Sequence, residues 1–269
     1  MQSTKKIIST LTIILLILLT FASYQGFFNP KTFEKDSMSF GTQGIGQDFV
    51  NLFIVVPLLL ISFLLFRKDN RIGSFLFGGT IFYILYSYMI YAFGVNFNHL
   101  FLFYCGILGL SLYIFIIFLV DLSQHDIISW FGEKVKVTAM SIFLLIIAVM
   151  FYLLWLKDII PAILTGTTPI SVTDNNLLVN PVHVLDLSIA LPAAIVSSIL
   201  LLKKNKFGFI FAPIILLFIV ILTIALIGMV IALKVKGISE DITLVYIFSG
   251  LSILGTGFLI QFFRNLNKT

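Results

Sequence analysis

The chain has 269 residues, of which 59% are hydrophobic and 11% charged, with a formal net charge of +5 and a mean hydropathy of +1.12. Soluble domains carry roughly 25% charged residues, so this composition excludes a soluble domain and predicts a polytopic membrane protein. The single cysteine, Cys105, excludes an internal disulfide and a cysteine cluster for zinc or iron–sulfur. The basic residues are scattered among short loops, which argues against nucleic acid as a partner.

Eight apolar segments are long enough to cross a bilayer as helices, since a crossing takes about 20 residues. Segment 1 has two lysines ahead of its apolar run, as a signal peptide has, but we interpret it as a membrane helix because an internal repeat pairs it with segment 5. We therefore predict an all-α fold, a membrane helical bundle of eight transmembrane helices. The segments span roughly residues 7–25, 48–67, 72–94, 98–120, 137–156, 183–203, 207–232 and 242–263.

The basic residues predict the orientation of these helices. An even number of crossings places both termini on one side, and that side collects twelve of the seventeen Lys and Arg residues. Because basic loops face the cytoplasm, we expect a multi-pass protein of the cell membrane, with the lipid bilayer as its partner and both termini cytoplasmic. The twelve are Lys5, Lys6, Arg67, Lys68, Arg71, Lys134, Lys136, Lys203, Lys204, Lys206, Arg264 and Lys268.

The chain is similar to itself at an offset of 135 residues. Scarce residue types recur at this spacing: Pro57 and Pro192, Ser62 and Ser197, Lys68 and Lys203, Asn70 and Asn205, and Gly73 and Gly208. We predict a first four-helix repeat over 1–120, a cytoplasmic connector over 121–136 and a second four-helix repeat over 137–269. Four crossings per half make the repeats parallel, related by a pseudo-two-fold axis along the membrane normal.

Two predicted outer loops are long for a chain in which most residues lie in membrane segments. They run from Gly26 to Gln47 and from Lys157 to Val182. Loops of this length more often serve as functional covers than as simple connections. The glycines between Gly41 and Gly46 indicate a flexible entry turn rather than a nucleotide-binding motif, because no strand precedes them. Pro57 and Pro192 are expected to kink segments 2 and 6.

Polar residues are concentrated where segments begin at the outer side. Asp48 and Asn51 open segment 2, and His183 and Asp186 open segment 6. Each pair has i,i+3 spacing and so faces one way, and the repeat places both pairs at one depth. We predict that they meet near the axis, close to Tyr83 or Tyr86 of segment 3. The candidate ligand-binding residues are Asp48, Asn51, Tyr83, Tyr86, His99, His183 and Asp186.

Two alternatives to a shared site stay open. Asp48 and Asp186 are also typical of residues that cap helix N-termini, with no further role. Asp48, His99, His183 and Asp186 carry oxygen and imidazole ligands suited to a metal, but they lack the HxxH spacing of common metal motifs. We therefore assign no metal ligand and no catalytic residue, and the sequence indicates neither a cofactor nor an oligomeric state.

Several short motifs resemble a family of prokaryotic multi-pass membrane proteins that has no established activity. They are Gly46-Gln47-Asp48-Phe49-Val50-Asn51-Leu52, Pro57-Leu58-Leu59, Tyr91-Ala92-Phe93-Gly94, Asn98-His99-Leu100-Phe101-Leu102 and Leu185-Asp186-Leu187. The resemblance covers most of the chain and implies a multi-pass membrane fold, but no catalytic residue.

Three classes of function agree with these patterns. The first is binding or sensing of a small or lipid-like ligand in an outward-facing pocket between the two repeats. The second is transport of an apolar or lipid-like substrate, which the duplication and the prolines favour, although no ionisable residue is expected near the middle of a segment. The third is a membrane-embedded enzyme, for which no spacing of nucleophile and base gives support.

Overall fold

The structure is a computed structural model that describes residues 2–132, 135–239 and 241–267, and within these residues the chain forms helices and no strand. Eight of the helices are long and apolar enough to cross a membrane, which confirms the predicted all-α bundle. They are α1 (Gln2–Phe28), α2 (Met38–Arg67), α3 (Arg71–Gly94), α4 (Phe101–Ser123), α5 (Thr138–Thr165), α6 (Pro181–Leu202), α7 (Lys206–Val235) and α8 (Thr243–Phe263).

Helices α3 and α7 are the most buried of the eight and form the centre of the bundle. In the first four helices, α1 packs on α2 and α4, and α3 packs on the same two. In the last four, α5 packs on α6 and α8, and α7 packs on the same two, so the order of neighbours recurs. The halves meet where α7 packs against α2 and α3, and where α3 contacts the start of α6.

The bundle has two chemically different ends. At one end, here called the basic end, Lys5 pairs with Asp69, and the Arg71 guanidinium donates to the Asn267 carbonyl over 2.9 Å. The beginning of α1 and the end of α8 therefore lie at the same end of the bundle. At the opposite, distal end, the Asn96 side chain donates to Asp36 over 3.0 Å.

One turn of π-helix interrupts both α2 and α6. In α2 it covers Asn51–Val55, and in α6 it covers Asp186–Ala190, again 135 residues later. A proline lies two residues beyond each turn, at Pro57 and Pro192. Because a proline ring clashes with the carbonyl four residues earlier, the wider π turn makes room for it. The irregularity that the sequence predicts as a kink at Pro57 and Pro192 is therefore a π turn in the structure.

The turns that follow α2 and α6 have the same geometry. Asp69 and Lys204 both adopt the left-handed backbone conformation, with φ of 59° and 52°. The next residue in each case caps the following helix: the Asn70 side chain accepts from the backbone N–H of Gly73, and the Asn205 side chain accepts from that of Phe207. These matched turns bring the two helices of each pair together at the basic end.

The helices extend further toward the distal end than the apolar runs predict. Helix α2 begins at Met38, capped by the Ser37 hydroxyl, and α5 continues to Thr165. The expected flexible glycine turn is therefore wrong, because Gly41 to Gly46 are helical. These glycines allow close packing: a Cβ on Gly46 would lie 2.5 Å from the Gly228 carbonyl oxygen of α7.

Candidate functional site

Asp48 lies in the interior of the bundle, not at a helix end. It follows the start of α2 by ten residues, about 15 Å along the axis at 1.5 Å per residue, and only 1% of it is exposed. Its Oδ1 accepts a long hydrogen bond of 3.4 Å from the Asn51 amide, whose own Oδ1 accepts from the Tyr83 hydroxyl over 3.0 Å. The other carboxylate oxygen has no partner and lies against Gly26 of α1.

Tyrosines surround this first carboxylate. The rings of Tyr88 and Tyr91 stack at 5.0 Å, and Tyr104 of α4 lies edge-on to Tyr91 at 5.2 Å. Tyrosines near the end of a membrane segment are typical of an aromatic belt at the membrane surface, but Tyr88 and Tyr91 are buried inside the bundle and do not form one. The hydroxyls of Tyr88, Ser23 and Ser87 are also buried, and they have no hydrogen-bond partner in the part of the chain that the structure describes.

Asp186 forms a second, better satisfied cluster. It is 5% exposed, and its Oδ1 accepts from the Tyr86 hydroxyl over 2.7 Å. Its Oδ2 accepts from the Trp155 indole N–H over 2.8 Å. The His183 ring lies 4.6 Å from the Trp155 ring at a tilt of 45°, and His183 makes neither a hydrogen bond nor an ion pair with Asp186 among the described residues.

The structure forms two clusters where the sequence predicts one. Asp48, Asn51 and Tyr83 come together on one side of α3, whereas Asp186 joins Tyr86 and lies beside Phe218 of α7. The physical reason is that α3 lies between the two acids: its Tyr83 donates to Asn51 beside Asp48, and its Tyr86 donates to Asp186. His99 is exposed and contacts neither cluster, which corrects its assignment to the site.

Both alternative explanations of the acids are also corrected. Ser37 and Asn180 cap α2 and α6, so Asp48 and Asp186 are not N-caps. Within the described ranges, no three His, Cys, Asp or Glu side chains lie close enough to hold a metal ion. The proposed metal set does not come together because His99 is at the surface.

A cavity of about 450 Å³ opens toward the distal end between the two halves of the bundle. We call it the distal cavity. Its wall is mostly apolar, with Asp186, Tyr86 and Trp155 on one side and the amides of Gln43 and Gln47 on another. The apolar lining includes Phe40, Ile90, Val95, Phe151, Leu154, Val182, Leu222, Leu226, Met229, Val230, Leu233, Leu244 and Phe248.

A small void of about 30 Å³ lies next to the same carboxylate. Phe151, Asp186, Leu222 and Leu226 line both spaces, so the void adjoins the distal cavity. Apart from Asp186 and Thr223 its lining is apolar, and it includes Phe218 of α7. Asp186 is thus the polar group between a large cavity and a smaller apolar space.

The distal connections hold the mouth of the cavity in place. Asn98 donates to the Thr32 carbonyl over 2.9 Å, and Ser37 donates to Asn175 over 3.3 Å, which links the first loop to the second. Burial raises the pKa of Asp36 in the first loop, and hydrogen bonds from Asn96 partly offset that effect. These contacts join segments from both halves above the bundle.

Trp155 is the main site residue that the sequence prediction missed. A tryptophan at the end of an apolar run is typical of a membrane-surface anchor, and the sequence predicts that segment 5 ends at residue 156. Since α5 continues to Thr165, Trp155 lies ten residues before the end of its helix. An indole N–H at that depth needs an acceptor, and this need is the signal that would have pointed to Asp186.

Comparisons of the chain with family models, with curated proteins and with solved structures found no match. The resemblance to a family of prokaryotic membrane proteins therefore stays a prediction.

Proposed function

We propose that this protein binds a lipid-like ligand in the distal cavity. The observation that carries the proposal is the cavity itself: about 450 Å³, lined by six of the eight helices, apolar over most of its wall and polar at a few fixed points. Ligand sites in proteins have this size and composition, with a few polar groups that orient the ligand. A single acyl chain with a small head group fits such a space.

The surface around α5 and α8 supports entry from the bilayer. These helices meet near the basic end, where the rings of Phe143 and Phe258 lie 4.9 Å apart. Toward the distal end Leu154 of α5 and Leu244 of α8 line the cavity, and both side chains are about half exposed. The equivalent helices α1 and α4 pack along much more of their length. We therefore propose that the ligand enters between α5 and α8.

We also propose an orientation of the protein in the membrane and an internal duplication of its sequence. The excess of basic residues at the basic end supports a cytoplasmic location for that end in the cell membrane, so the distal cavity faces outward. The matched π turns, left-handed residues and capping asparagines support a duplication with halves 1–120 and 137–269, joined by 121–136.

A variant in which a larger side chain fills the distal cavity tests the binding function. Leu226→Trp places a large side chain in the cavity, and Ile231→Trp on the same helix, at an exposed position, is the matched control. Each is reconstituted in nanodiscs, and binding is measured as the amount of a radiolabelled single-chain amphiphile that the protein retains. We expect this retention to saturate in the parent and in Ile231→Trp. Leu226→Trp should weaken binding at least about tenfold, as expected for steric exclusion.

Transport of the same ligand is a second candidate function. The π turns favour it, since they lie in both α2 and α6 directly beside the buried acids, and π turns inside α-helices frequently occur at functional sites. In proteoliposomes, a fluorescent amphiphile added to one leaflet should reach the other faster with the parent protein than with Leu226→Trp. Equal rates would leave binding as the function.

A further inference from the structure

We propose that the ligand carries an alkylammonium head group, which binds beside Asp186 with its apolar chain directed along α7 toward the mouth of the distal cavity. This inference rests on the proposed binding function and specifies the chemical class of the ligand. It assigns separate roles to the two parts of the cavity wall, one for the charge and one for the chain.

The first step of the argument is the charge of the cavity. Asp186 is the one acidic residue in its wall, and no Lys, Arg or His lines it among the described residues. The ion pair between Lys5 and Asp69 is the only one in the described part of the chain, and it lies at the other end of the bundle. A carboxylate buried in a membrane protein without a counter-charge is costly and marks a functional site by default.

The second step is the preorganisation of the carboxylate. Tyr86 donates to one oxygen over 2.7 Å and Trp155 donates to the other over 2.8 Å, which fixes the plane of the group. Both donors are neutral, so they orient the carboxylate without cancelling its charge. Each oxygen keeps a lone pair for one more interaction, and the carboxylate lies at the cavity wall.

The third step is the aromatic surroundings of that charge. The rings of Tyr86, Phe151 and Trp155 line the cavity around Asp186, and Phe218 lies 5.0 Å from the Tyr86 ring. Aromatic faces attract ammonium groups, including quaternary ones, and the attraction is stronger where water is excluded. A carboxylate surrounded by aromatic rings therefore suits an alkylammonium head better than a phosphate or a carboxylate.

The fourth step places the apolar chain. Helix α7 carries a row of apolar side chains at helical spacing, from Leu222 beside Asp186 through Leu226 and Met229 to Leu233 near the distal end. The first and last residues of this row are eleven positions apart, or about 17 Å at the rise of an α-helix. Leu244 and Phe248 of α8 complete the channel. An extended chain of about a dozen carbons fits along it.

The experiment compares dodecyl amphiphiles with identical brominated tails and different heads. The probes carry a trimethylammonium, a glycerol ether or a carboxylate head, and their quenching of Trp155 is measured in phosphatidylcholine nanodiscs with the Trp130→Phe protein. The trimethylammonium charge is permanent, so probe titration does not contribute. We expect the ammonium probe to bind about tenfold or more tightly than the glycerol probe, with the carboxylate probe weakest.

Variants identify the carboxylate as the cause. Asp186→Asn should abolish the preference for ammonium, and saturable binding of the glycerol probe to this variant would show that the cavity is folded. Asp186→Glu should retain part of the preference. Asp48→Asn is the matched control, because Asp48 is equally buried but does not line the cavity, and its preference should equal that of the parent.

The outcomes separate the two proposals. Equal binding of all three heads, or an ammonium preference that survives in Asp186→Asn, overturns the head-group assignment but leaves the binding function intact. Absence of saturable quenching by every probe overturns both. Tetramethylammonium distinguishes a lipid from a free amine: failure to displace the ammonium probe supports a lipid-like ligand, and displacement at comparable concentration overturns the role of the chain.

Discussion

Asp48 and Asp186 are both buried, and neither has a basic partner among the residues that the structure describes, but their local chemistry differs. Asp186 has a strong donor on each oxygen. Asp48 has a single weak contact with Asn51 and an oxygen without a partner, beside several buried hydroxyls that also lack partners. Burying a carboxylate in this way costs free energy whether the group stays charged or holds a proton. This difference predicts different responses to neutral substitution.

We expect Asp48→Asn to raise the thermal stability of the purified protein at neutral pH. The amide has the shape of the carboxylate but no charge to desolvate, and the gain should be about 1 to 2 kcal/mol, near the lower values for burial of a polar group. Thermal unfolding in detergent, followed by tryptophan fluorescence, measures the change. Asp174→Asn, at an exposed position in the second loop, serves as the control and should shift the midpoint little.

A loss of stability in Asp48→Asn as large as that in Asp48→Ala would contradict this prediction. It would mean that the carboxylate makes an interaction that the amide does not replace, with the Tyr91 hydroxyl as the candidate partner.

Sequence reasoning located both acids but not their surroundings. Asp48 and Asp186 stand out because ionisable residues in apolar segments are scarce, and Tyr83 and Tyr86 because a deep phenol needs a partner. The separation into two clusters did not follow from spacing, since it depends on α3 lying between α2 and α6. The position of α3 is set by how the helices pack together. The i,i+3 spacing of residues on one helix gives no information about that packing.

At the scale of elements, α2 and α7 approach each other closely where the two halves meet. A Cβ on Gly46 would lie 2.5 Å from the Gly228 carbonyl oxygen, and a Cβ on Gly228 would lie 2.6 Å from Val50 and 2.8 Å from the Gly46 carbonyl oxygen. Small residues at such crossings let backbones approach and gain dispersion contacts in the membrane. This contact brings Gln47 and Met229 to the same cavity.

We expect Gly46→Ala and Gly228→Ala each to destabilise the protein by about 1 to 3 kcal/mol, as overpacking typically does. The backbone atoms that meet the new methyl group move only if the helices separate. Gly250→Ala and Gly257→Ala on α8 are matched controls, since their Cβ would meet nothing within 4 Å. They should be neutral or slightly stabilising, because alanine favours the helix. Thermal midpoints of the four variants that are all equal would argue against the close crossing.

The same glycines explain why the sequence predicts the start of α2 at residue 48, ten residues after its observed start at Met38. Glycine is unfavourable in a helix interior by about 1 kcal/mol relative to alanine, so Gly41, Gly44 and Gly46 lower any helix prediction from propensity. Tertiary contacts outweigh that cost here, because Phe33 packs against Gly41 and Gly44, and Gly228 against Gly46. The apolar cores of the eight helices were predictable from run length alone, whereas these polar, glycine-rich extensions were not.

At the scale of the whole molecule, orientation in the membrane is open to direct measurement. We use a Cys105→Ser background and introduce Lys68→Cys at the basic end or Asp174→Cys at the distal end, both at exposed positions. A membrane-impermeant maleimide added to intact cells should label the Asp174→Cys protein, because the positive-inside rule places the basic end in the cytoplasm. Labelling of Lys68→Cys without lysis would reverse the assignment and turn the distal cavity toward the cytoplasm.

The π turns of α2 and α6 each hold one surplus residue within an otherwise continuous helix. Since each residue of an α-helix advances the chain by about 100° around the axis at 3.6 residues per turn, the surplus rotates everything on the distal side by that angle. A chain shortened by one residue within Asn51–Val55 and one within Asp186–Ala190 would keep its hydropathy profile and its number of crossings. The two deletions would nevertheless rotate both acids by more than a quarter-turn, away from the tyrosines beside them. The side of the helix on which each buried acid lies therefore depends on the exact number of residues in its π turn, which the amino-acid composition does not show.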